Sequence, residues 1–277
     1  MTRPPGFVPP QADSTRSRVS HAALSVIAAL AASLLLFFIA APVAGLVVSG
    51  GAKGLARLTT DTELRASLVL TIVTALVATL LGVLGGTPLA WLLARRRFRG
   101  RALVAALIDL PLVIPHPVAG IALLLVLGRG SPLGQALIAI GLRVVGSPVG
   151  IVCAMVFVAA PLYVSAAREA IARVDARYEA VARTLGDPAW SAFRRITLPL
   201  AGRGLVAAGV VMWARAVSEF GAIVILTYNP KVASVLSYDR FASYGLDEAL
   251  PVAAVLVLLA LVPLVALRAL RGREDPT

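Results

Sequence analysis

The sequence DARYEAVARTLGDPAWSAFRRITLP, at residues 175–199, is a long polar segment between two apolar runs. Its first part, Ala176 to Leu185, consists mainly of helix-forming residues, and Gly186 can adopt the left-handed conformation that commonly ends a helix. Asp187 is a preferred N-cap residue, and Pro188 is favoured at the first position of a helix. The segment therefore predicts a helix, a tight bend and a second short helix.

The second short helix carries large apolar side chains at three-residue spacing. Trp190, Phe193 and Ile196 fall on one face, whereas the pair Arg194-Arg195 points elsewhere. We expect Leu198-Pro199 to end this helix. The apolar stripe fits two settings equally well, which are the interface of a membrane and the groove of a cytoplasmic partner.

The polar segment lies among apolar runs long enough to cross a bilayer, which takes about 20 residues. The runs lie near residues 22–48, 66–94, 106–128, 148–167, 203–227 and 249–269. The first run is longer than the core of a signal peptide, so we expect it to be retained. Prolines interrupt the third run around His116 and predict a kink there. The predicted fold is an all-α integral membrane protein with six transmembrane helices.

The composition supports a membrane location and excludes an ordinary soluble domain. Of the 277 residues, 59% are hydrophobic and only 14% are charged, against about 45–50% and about 25% in soluble domains. The net charge of +12 would suggest a nucleic-acid partner in a soluble protein, but 18 of the 26 basic residues cluster at one side of the predicted spans. This asymmetry indicates a multi-pass protein of the cytoplasmic membrane with both termini in the cytoplasm and no nucleic-acid partner.

The spans divide the chain into a tail, a first helix and a core. We expect residues 1–20 to form a disordered cytoplasmic tail and residues 21–60 to hold the first transmembrane helix and an outer loop. Residues 61–270 then form the core with five transmembrane helices, and residues 271–277 form a cytoplasmic tail. The chain has one cysteine, so we expect neither a disulfide nor a cysteine-based metal site.

Few ionisable residues lie within the spans, and each needs a partner, a wet cavity or a role. Arg215 and Glu219 are one helical turn apart and can neutralise each other, which would leave Glu219 a structural or gating role. His116 fits either a titrating gate or a neutral partner for carbonyl groups that the kink frees. Asp109 is predicted to cap its helix or to pair with a cytoplasmic arginine.

Polar residues at membrane depth often mark a path for a charged substrate, because hydroxyls and dipoles there can solvate it without trapping it. The predicted substrate path and gate comprise Ser67, Thr71, His116, Arg215, Ser218, Glu219 and Phe220.

The run RTLG at 183–186, nine residues, and then ITLP at 196–199 resembles the cytoplasmic "EAA" loop of importer-type ABC transporter permeases. In that family the short helix of the loop docks into a cleft of the ATPase subunit, so the resemblance favours the partner groove. The sequence departs from the pattern in one place, because the acid lies one position early, at Glu179, which argues against carrying over a salt bridge there. The implied coupling residues are Glu179, Gly186, Asp187, Pro188, Trp190, Phe193, Arg194, Ile196, Leu198 and Pro199.

Other segments resemble the branch of this family that imports molybdate, tungstate, sulfate or thiosulfate. They are GTPLAW at 86–91, VIPHPVAG at 113–120 and SEFGA at 218–222. The segment VIPHPVAG, together with YNPK at 228–231 and the segment 238–245, is most similar to the sequences of molybdate/tungstate permeases. A sulfate or thiosulfate permease is the alternative substrate class.

The resemblance implies a homodimer in membrane lipid with two ATPase subunits and an extracytoplasmic substrate-binding protein. Neither Lys53 nor Lys231 lies in the phosphate-binding pattern Gly-x4-Gly-Lys, so ATP and Mg²⁺ should be used by the separate ATPase rather than by this chain, which is not predicted to be an enzyme. An intramembrane hydrolase would need a facing nucleophile and base, and a passive channel would not need a docking loop. Both alternatives are therefore disfavoured.

Overall fold

The computed structural model describes the backbone of residues 14–271 and the side chains of residues 24–265 apart from residue 264. The chain divides into two units, residues up to 48 and residues from 49 onward. Within the described range all regular structure is helical, which confirms the all-α fold. The helices are α1 (Ser14–Thr60), α2 (Thr62–Arg95), α3 (Arg101–Val113), α4 (His116–Leu127), α5 (Pro132–Ala139), α6 (Pro148–Ala172), α7 (Ala176–Thr184), α8 (Ala189–Ala192), α9 (Leu198–Val217), α10 (Gly221–Leu226), α11 (Ala233–Tyr244) and α12 (Leu246–Arg271), with a π-helical turn at Phe193–Thr197 between α8 and α9.

The first unit consists of α1 as far as residue 48. Its apolar side chains from Leu24 to Ile39 are exposed, as expected of a helix that lipid surrounds. The helix begins at Ser14, so residues 14–20 are not the tail that the sequence predicts, and residues 49–60 continue the helix instead of forming an outer loop. The rest of the predicted tail, and the C-terminal tail after Arg271, lie outside the described residues.

The second unit is built around α2, α6 and α9, which pack against one another. Small side chains such as Ala75, Ala159 and Ala208 are fully or almost fully buried at these contacts. Small residues let helices approach closely in a membrane, where lipid supplies no hydrophobic drive for association. A second, smaller core joins α2 to α11 and α12 through Leu68, Leu236 and neighbouring apolar residues. These contacts hold the functional segments at the two ends of α2.

Five of the described helices are long and apolar enough to cross a membrane, and a sixth crossing results if α3 and α4 count as one bent span. The chain bends by 116° between the two helices. Ile114, which precedes Pro115, has an extended conformation (φ −72°, ψ 131°), because the proline ring disfavours the helical region for the residue before it. The kink that the prolines predict is thus a sharp break.

The fifth predicted span, 203–227, is not one helix. α9 begins earlier, at Leu198, and ends at Val217, and the chain leaves the helical path over residues 218–220 before α10 begins. The sequence shows no proline at this break. The Glu219 side chain instead supplies a hydrogen bond to the start of α10, which replaces an interrupted helical bond.

Candidate functional site

The predicted functional residues form two groups at opposite ends of α2. Arg95, the last residue of α2, contacts the segment 175–199, which we call the coupling loop. Near the other end, Thr71 Oγ1 accepts a hydrogen bond from the Ala233 amide (2.8 Å), and the adjacent Ser234 hydroxyl donates to the Glu219 carbonyl (2.6 Å). At about 1.5 Å of rise per residue, about 36 Å of helix separates Thr71 from Arg95.

The bend of the coupling loop has the hydrogen bonds of a Schellman motif. The Asp187 amide donates to the Ala182 carbonyl and the Gly186 amide donates to the Arg183 carbonyl, both at 3.1 Å. Gly186 has a φ of +98°, which a residue with a side chain rarely adopts. The Asp187 carboxylate accepts a hydrogen bond from the Ser191 hydroxyl (3.1 Å), and Pro188 precedes the first helical residue of α8. Two backbone hydrogen bonds and one between side chains therefore fix the predicted bend, but the N-cap residue of α8 is Pro188 rather than the predicted Asp187.

Glu179 forms a nearly buried salt bridge within the chain, although its displaced position argued against carrying one over from the family. Arg95 Nε donates to Glu179 Oε1 at 3.0 Å, and the two side chains are 11% and 12% exposed. The Thr197 hydroxyl donates to the same carboxylate oxygen, and Arg95 Nη2 donates to the Val174 carbonyl at 2.7 Å. Glu179 thus joins α7 to the ends of α2 and of the π-helical turn. The sequence placed Arg95 in a cytoplasmic basic cluster but did not identify this pairing.

The helix after the bend does not end at Leu198-Pro199 as predicted. α8, the π-helical turn and α9 form one continuous helical path from Ala189 to Val217. In the turn, the Leu198 amide bonds to the Phe193 carbonyl, five residues back. A proline lacks the amide of a helical hydrogen bond and crowds the carbonyl four residues earlier, so the wider turn just before Pro199 accommodates its ring.

The apolar side chains of the coupling loop divide into a buried and an exposed set. Phe193 is 2% exposed and packs between Trp91 and Trp190, with ring centroids 5.5 and 5.4 Å away. It cannot reach a partner, so the prediction that it anchors in a partner groove is wrong. Ile196 is half-buried, and Arg194 is exposed. The side chains that face outward are Tyr178, Val181, Leu185 and Trp190, which we call the loop face.

Glu219 is the most deeply buried of the membrane-embedded charges, with 1% of its side chain exposed. One carboxylate oxygen accepts a hydrogen bond from the Ala222 amide (2.8 Å) at the start of α10. The other accepts one from Arg215 Nη2 at 2.8 Å and lies 2.9 Å from His116 Nδ1. The carboxylate thereby links α9, α10 and the start of α4 at the two breaks in the helical path.

His116 and Arg215 are more accessible than Glu219, with 40% and 22% of their side chains exposed. Arg215 Nη2 lies 2.6 Å from His116 Nδ1 and 3.0 Å from His116 Nε2, so the guanidinium lies against the imidazole ring as well as against the Glu219 carboxylate. We call these three residues the polar triad. Within the described part of the chain, no group of three or more His, Cys, Asp or Glu residues is arranged to hold a metal ion.

The remaining predicted path residues have different environments. Ser67 and Thr71 are buried and donate to the carbonyls of Leu64 and Ser67 in their own helix, so they do not face an open path. Ser218 is exposed next to the triad and donates to the Arg215 carbonyl. Phe220 packs on Tyr238 with a centroid distance of 5.1 Å. The structure therefore brings Ser218 and Phe220 together with the triad and leaves Ser67 and Thr71 in the core.

A cluster of ion pairs that the sequence did not predict lies at the end of α2 opposite the coupling loop. The pairs join Arg57 to Glu248 (2.6 Å), Arg240 to Asp61 (2.7 Å) and Glu63 (3.2 Å), and Lys231 to Asp239 (2.6 Å) and Glu63 (3.6 Å). The hydrogen bond from Arg240 holds the pKa of Asp61 below its ordinary value, and the one from Lys231 does the same to the pKa of Asp239. We call this group the ion-pair cluster.

Known proteins similar to this chain are transport proteins. The chain is 48% identical over 126 residues to the molybdate/tungstate transport system permease protein WtpB of Thermococcus kodakarensis, which covers 46% of this chain and 51% of that protein. It is 44% identical over 124 residues to WtpB of Pyrococcus furiosus, covering 45% and 50%. It is 29% identical over 136 residues to the sulfate transport system permease protein CysT of Escherichia coli, covering 48% and 49%. The chain thus spans about half the length of the curated relatives it matches.

Solved structures share the fold at low sequence identity. A bacterial ABC transporter involved in the import of the acidic polysaccharide alginate superposes with a TM-score of 0.69 at 18% identity, covering 95% of this chain and all of that one. The MetNI methionine ABC transporter gives a TM-score of 0.58 at 17% identity, covering 76% and 96%. The model of the family described as "Binding-protein-dependent transport system inner membrane component" matches residues 86–274, which include the coupling loop and the polar triad. The resemblance to importer permeases is therefore confirmed, and the chain belongs to this family of transport-system inner membrane components.

Proposed function

We propose that this chain is the membrane-spanning subunit of an ATP-driven importer for molybdate or tungstate. The observation that carries the proposal is the loop face, an exposed apolar surface on a segment that Glu179 and Phe193 fasten to the transmembrane helices. A solvated loop gains nothing from four large exposed apolar side chains, whereas a docking surface does. Basic residues beside the face, such as Arg194, would keep it at the cytoplasmic side.

The partner at the loop face is an ATPase subunit, present in two copies on a homodimer of this chain. ATP and Mg²⁺ bind to that subunit, and this chain contributes no catalytic group. Two features support this division. The residues of the loop face lie on both sides of a tight bend, so the face fits a cleft better than a lipid surface. Neither lysine of the chain lies in a phosphate-binding loop.

Movement of the ATPase would pass through the coupling loop into the membrane as a rigid displacement. Trp190 lies at the start of the continuous helical path of 29 residues that ends at Val217. At about 1.5 Å per residue this path is about 43 Å long. Arg215 lies in its last turn, so a tilt imposed at Trp190 displaces the polar triad. The lever is therefore the whole helix, rather than the Gly186 bend alone.

The polar triad is suited to act as the gate. Glu219 is fastened to α10 through the Ala222 amide, whereas Arg215 is partly exposed and can turn toward an anion. A guanidinium that is already shared with Glu219 stabilises a passing oxyanion without binding it too tightly for release. The Ser218 hydroxyl is exposed beside Arg215 and could donate to an anion in place of the Arg215 carbonyl. Rocking of α9 against α4 would open and close this site.

The substrate assignment comes from the relatives, because three residues of a gate do not distinguish one tetrahedral oxyanion from another. The proteins with the higher identities carry the names of molybdate/tungstate permeases, and a sulfate permease matches at lower identity. Sulfate is the second candidate. An extracytoplasmic binding protein would deliver the anion at the end of the molecule that carries the ion-pair cluster, with both termini of this chain in the cytoplasm.

The substrate proposal is tested by ATPase activity in liposomes that contain this chain, its ATPase subunit and the cognate binding protein. We expect tungstate and molybdate to stimulate ATP hydrolysis more strongly than sulfate at equal concentration. A preference for sulfate would overturn the substrate assignment and leave the transporter proposal in place. Absence of stimulation by any oxyanion, with all three proteins folded, would contradict the proposal as a whole.

The docking proposal is tested by co-purification of the ATPase subunit with the double variant Leu185→Ala, Trp190→Ala. We expect this variant to lose the ATPase while it elutes as a monodisperse membrane protein. The matched control is Leu133→Ala, Ile140→Ala, which removes exposed apolar side chains at the other end of the molecule. Equal retention of the ATPase by both variants would exclude the loop face as the docking surface.

A further inference from the structure

A cavity of about 210 Å³ lies between the end of α4, α5 and the segment that precedes α6. Four aliphatic side chains and two arginines line it. They are Leu127, Ile138, Val144, Val145, Arg129 and Arg143. None of these residues belongs to the coupling loop, the polar triad or the ion-pair cluster.

Among the described residues, the two arginines belong to the unpaired basic residues at this end of the molecule and, unlike Lys53 and Arg65, they line a cavity. Arg57, Lys231 and Arg240 each pair with a carboxylate in the ion-pair cluster. Arg129 and Arg143, by contrast, form no ion pair and no side-chain hydrogen bond with any residue that the structure describes. Two guanidinium groups at one cavity repel each other, and an anion bound between them would relieve that repulsion.

The cavity walls indicate what kind of anion fits. A free inorganic oxyanion is strongly hydrated and would have to give up water against aliphatic side chains such as Ile138 and Val144. A phospholipid instead presents a phosphate to the guanidinium groups and an acyl chain to the aliphatic walls. Leu125 and Ile140, beside the cavity, are both 77% exposed, as expected of side chains that face lipid.

We propose that Arg129 and Arg143 bind the phosphate of an anionic phospholipid, whose acyl chain lies against the aliphatic walls of this cavity. The chemistry recognised is a phosphate oxyanion, and the lipid is its source. The site lies in the membrane leaflet opposite the coupling loop. The proposal does not depend on which substrate the protein carries, or on whether it is a transporter.

The test is native mass spectrometry of the full chain released from nanodiscs that contain phosphatidylcholine with phosphatidylglycerol. We expect the wild-type chain to retain phosphatidylglycerol and the variant Arg129→Ala, Arg143→Ala to bind it about 25-fold more weakly, from about fivefold for each basic residue near an anionic lipid. The matched control is Lys53→Ala, Arg65→Ala, which removes the same charge from two other exposed residues. It should retain the lipid like the wild type.

Each other outcome has a defined meaning. Equal retention by the two alanine variants, or equal loss, overturns the proposal, since binding would then not depend on this cavity. The variant Arg129→Lys, Arg143→Lys keeps the charge but not the forked geometry, so it should show an intermediate loss and serves if the alanine variant aggregates. In nanodiscs of phosphatidylcholine alone, binding of free tungstate or phosphate that requires the two arginines would show a free oxyanion site instead of a lipid site.

Discussion

Glu179 and Glu219 are both buried carboxylates that pair with an arginine, but their surroundings differ. Glu179 lies among partners that are buried or nearly buried, and its arginine also bonds to the Val174 carbonyl. Glu219 is more deeply buried, yet its partners Arg215 and His116 are 22% and 40% exposed. Glu179 lies within well-packed helices, whereas Glu219 lies at two breaks in the helical path.

The difference teaches how one kind of interaction can serve two purposes. A carboxylate whose partners are all buried has one arrangement, because any other leaves a charge without compensation. When the partners are accessible, the buried carboxylate can stay in place while its partners break their contacts with it and bind water or an anion instead. The Glu179 pair is thus a fixed brace that transmits motion, and the polar triad is a joint that motion can rearrange.

The largest effect should follow removal of the Glu219 carboxylate. Glu219→Ala leaves Arg215 without its counter-charge and the Ala222 amide without its acceptor, so we expect a loss of about 3–5 kcal/mol in the free energy of unfolding. Unfolding by denaturant in detergent micelles measures it. Glu219→Gln retains an acceptor for the Ala222 amide and should lose about half as much free energy of unfolding. Equal losses in the two variants would contradict a stabilising role for the hydrogen bond between Glu219 and the Ala222 amide.

The next largest effect should come from breaking the brace. Glu179→Ala and Arg95→Ala should each cost about 2–3 kcal/mol, below the value for a fully buried pair because both side chains keep some exposure. A double-mutant cycle with both changes isolates the pairing energy. If the loss in the free energy of unfolding of the double variant equals the sum of the two single losses, the residues do not act as a pair and the proposed brace is wrong.

Changes to Arg215, an accessible member of the polar triad, should alter transport more than stability. Arg215→Lys keeps the charge but loses the shared hydrogen bonds, so we expect oxyanion uptake to fall roughly fivefold, equivalent to about 1 kcal/mol in the barrier. The free energy of unfolding should change by less than about 1 kcal/mol. A variant that unfolds readily and transports at the normal rate would place Arg215 with the fixed brace.

The smallest effect concerns the ion-pair cluster, where the side chains of Lys231 and Asp239 are 21% and 23% exposed. Because the folded pKa of Asp239 is lowered, its contribution is present above its unfolded pKa of about 3.9 and is lost as the pH falls through the lower folded value. Asp239→Asn should cost less than about 1 kcal/mol at pH 7. Thermal unfolding from pH 7 to pH 3 should show this difference closing only below about pH 4.

The parts of the structure that local sequence could predict are those with local causes. Apolar runs indicated the spans, and Gly186 followed by Asp187 indicated the bend, because a left-handed residue and a cap act on their immediate neighbours. The pairing of Arg95 with Glu179 was not predictable, since the two residues are distant in sequence and meet only when α2 and α7 pack.

The same reasoning explains the two errors in the coupling loop. Three-residue spacing placed Trp190 and Phe193 on one stripe, but only the position of Trp91 decides which ring is covered. Pro199 was expected to end a helix, and a π-helical turn absorbs it instead. The break at residues 218–220 had no proline to signal it and depends on a long-range hydrogen bond network.

The π-helical turn has a consequence for how this protein can change. A wider turn holds one more residue than an α-helical turn, so the extra residue is absorbed within the turn, and removing one residue from Phe193–Thr197 would restore ordinary helix with Trp190 in nearly the same direction. The same deletion in the α-helical part of α9 would instead rotate Trp190 by about 100° about the helix axis. The π-helical turn is therefore the place on this path where the chain can change length without changing the direction of the loop face.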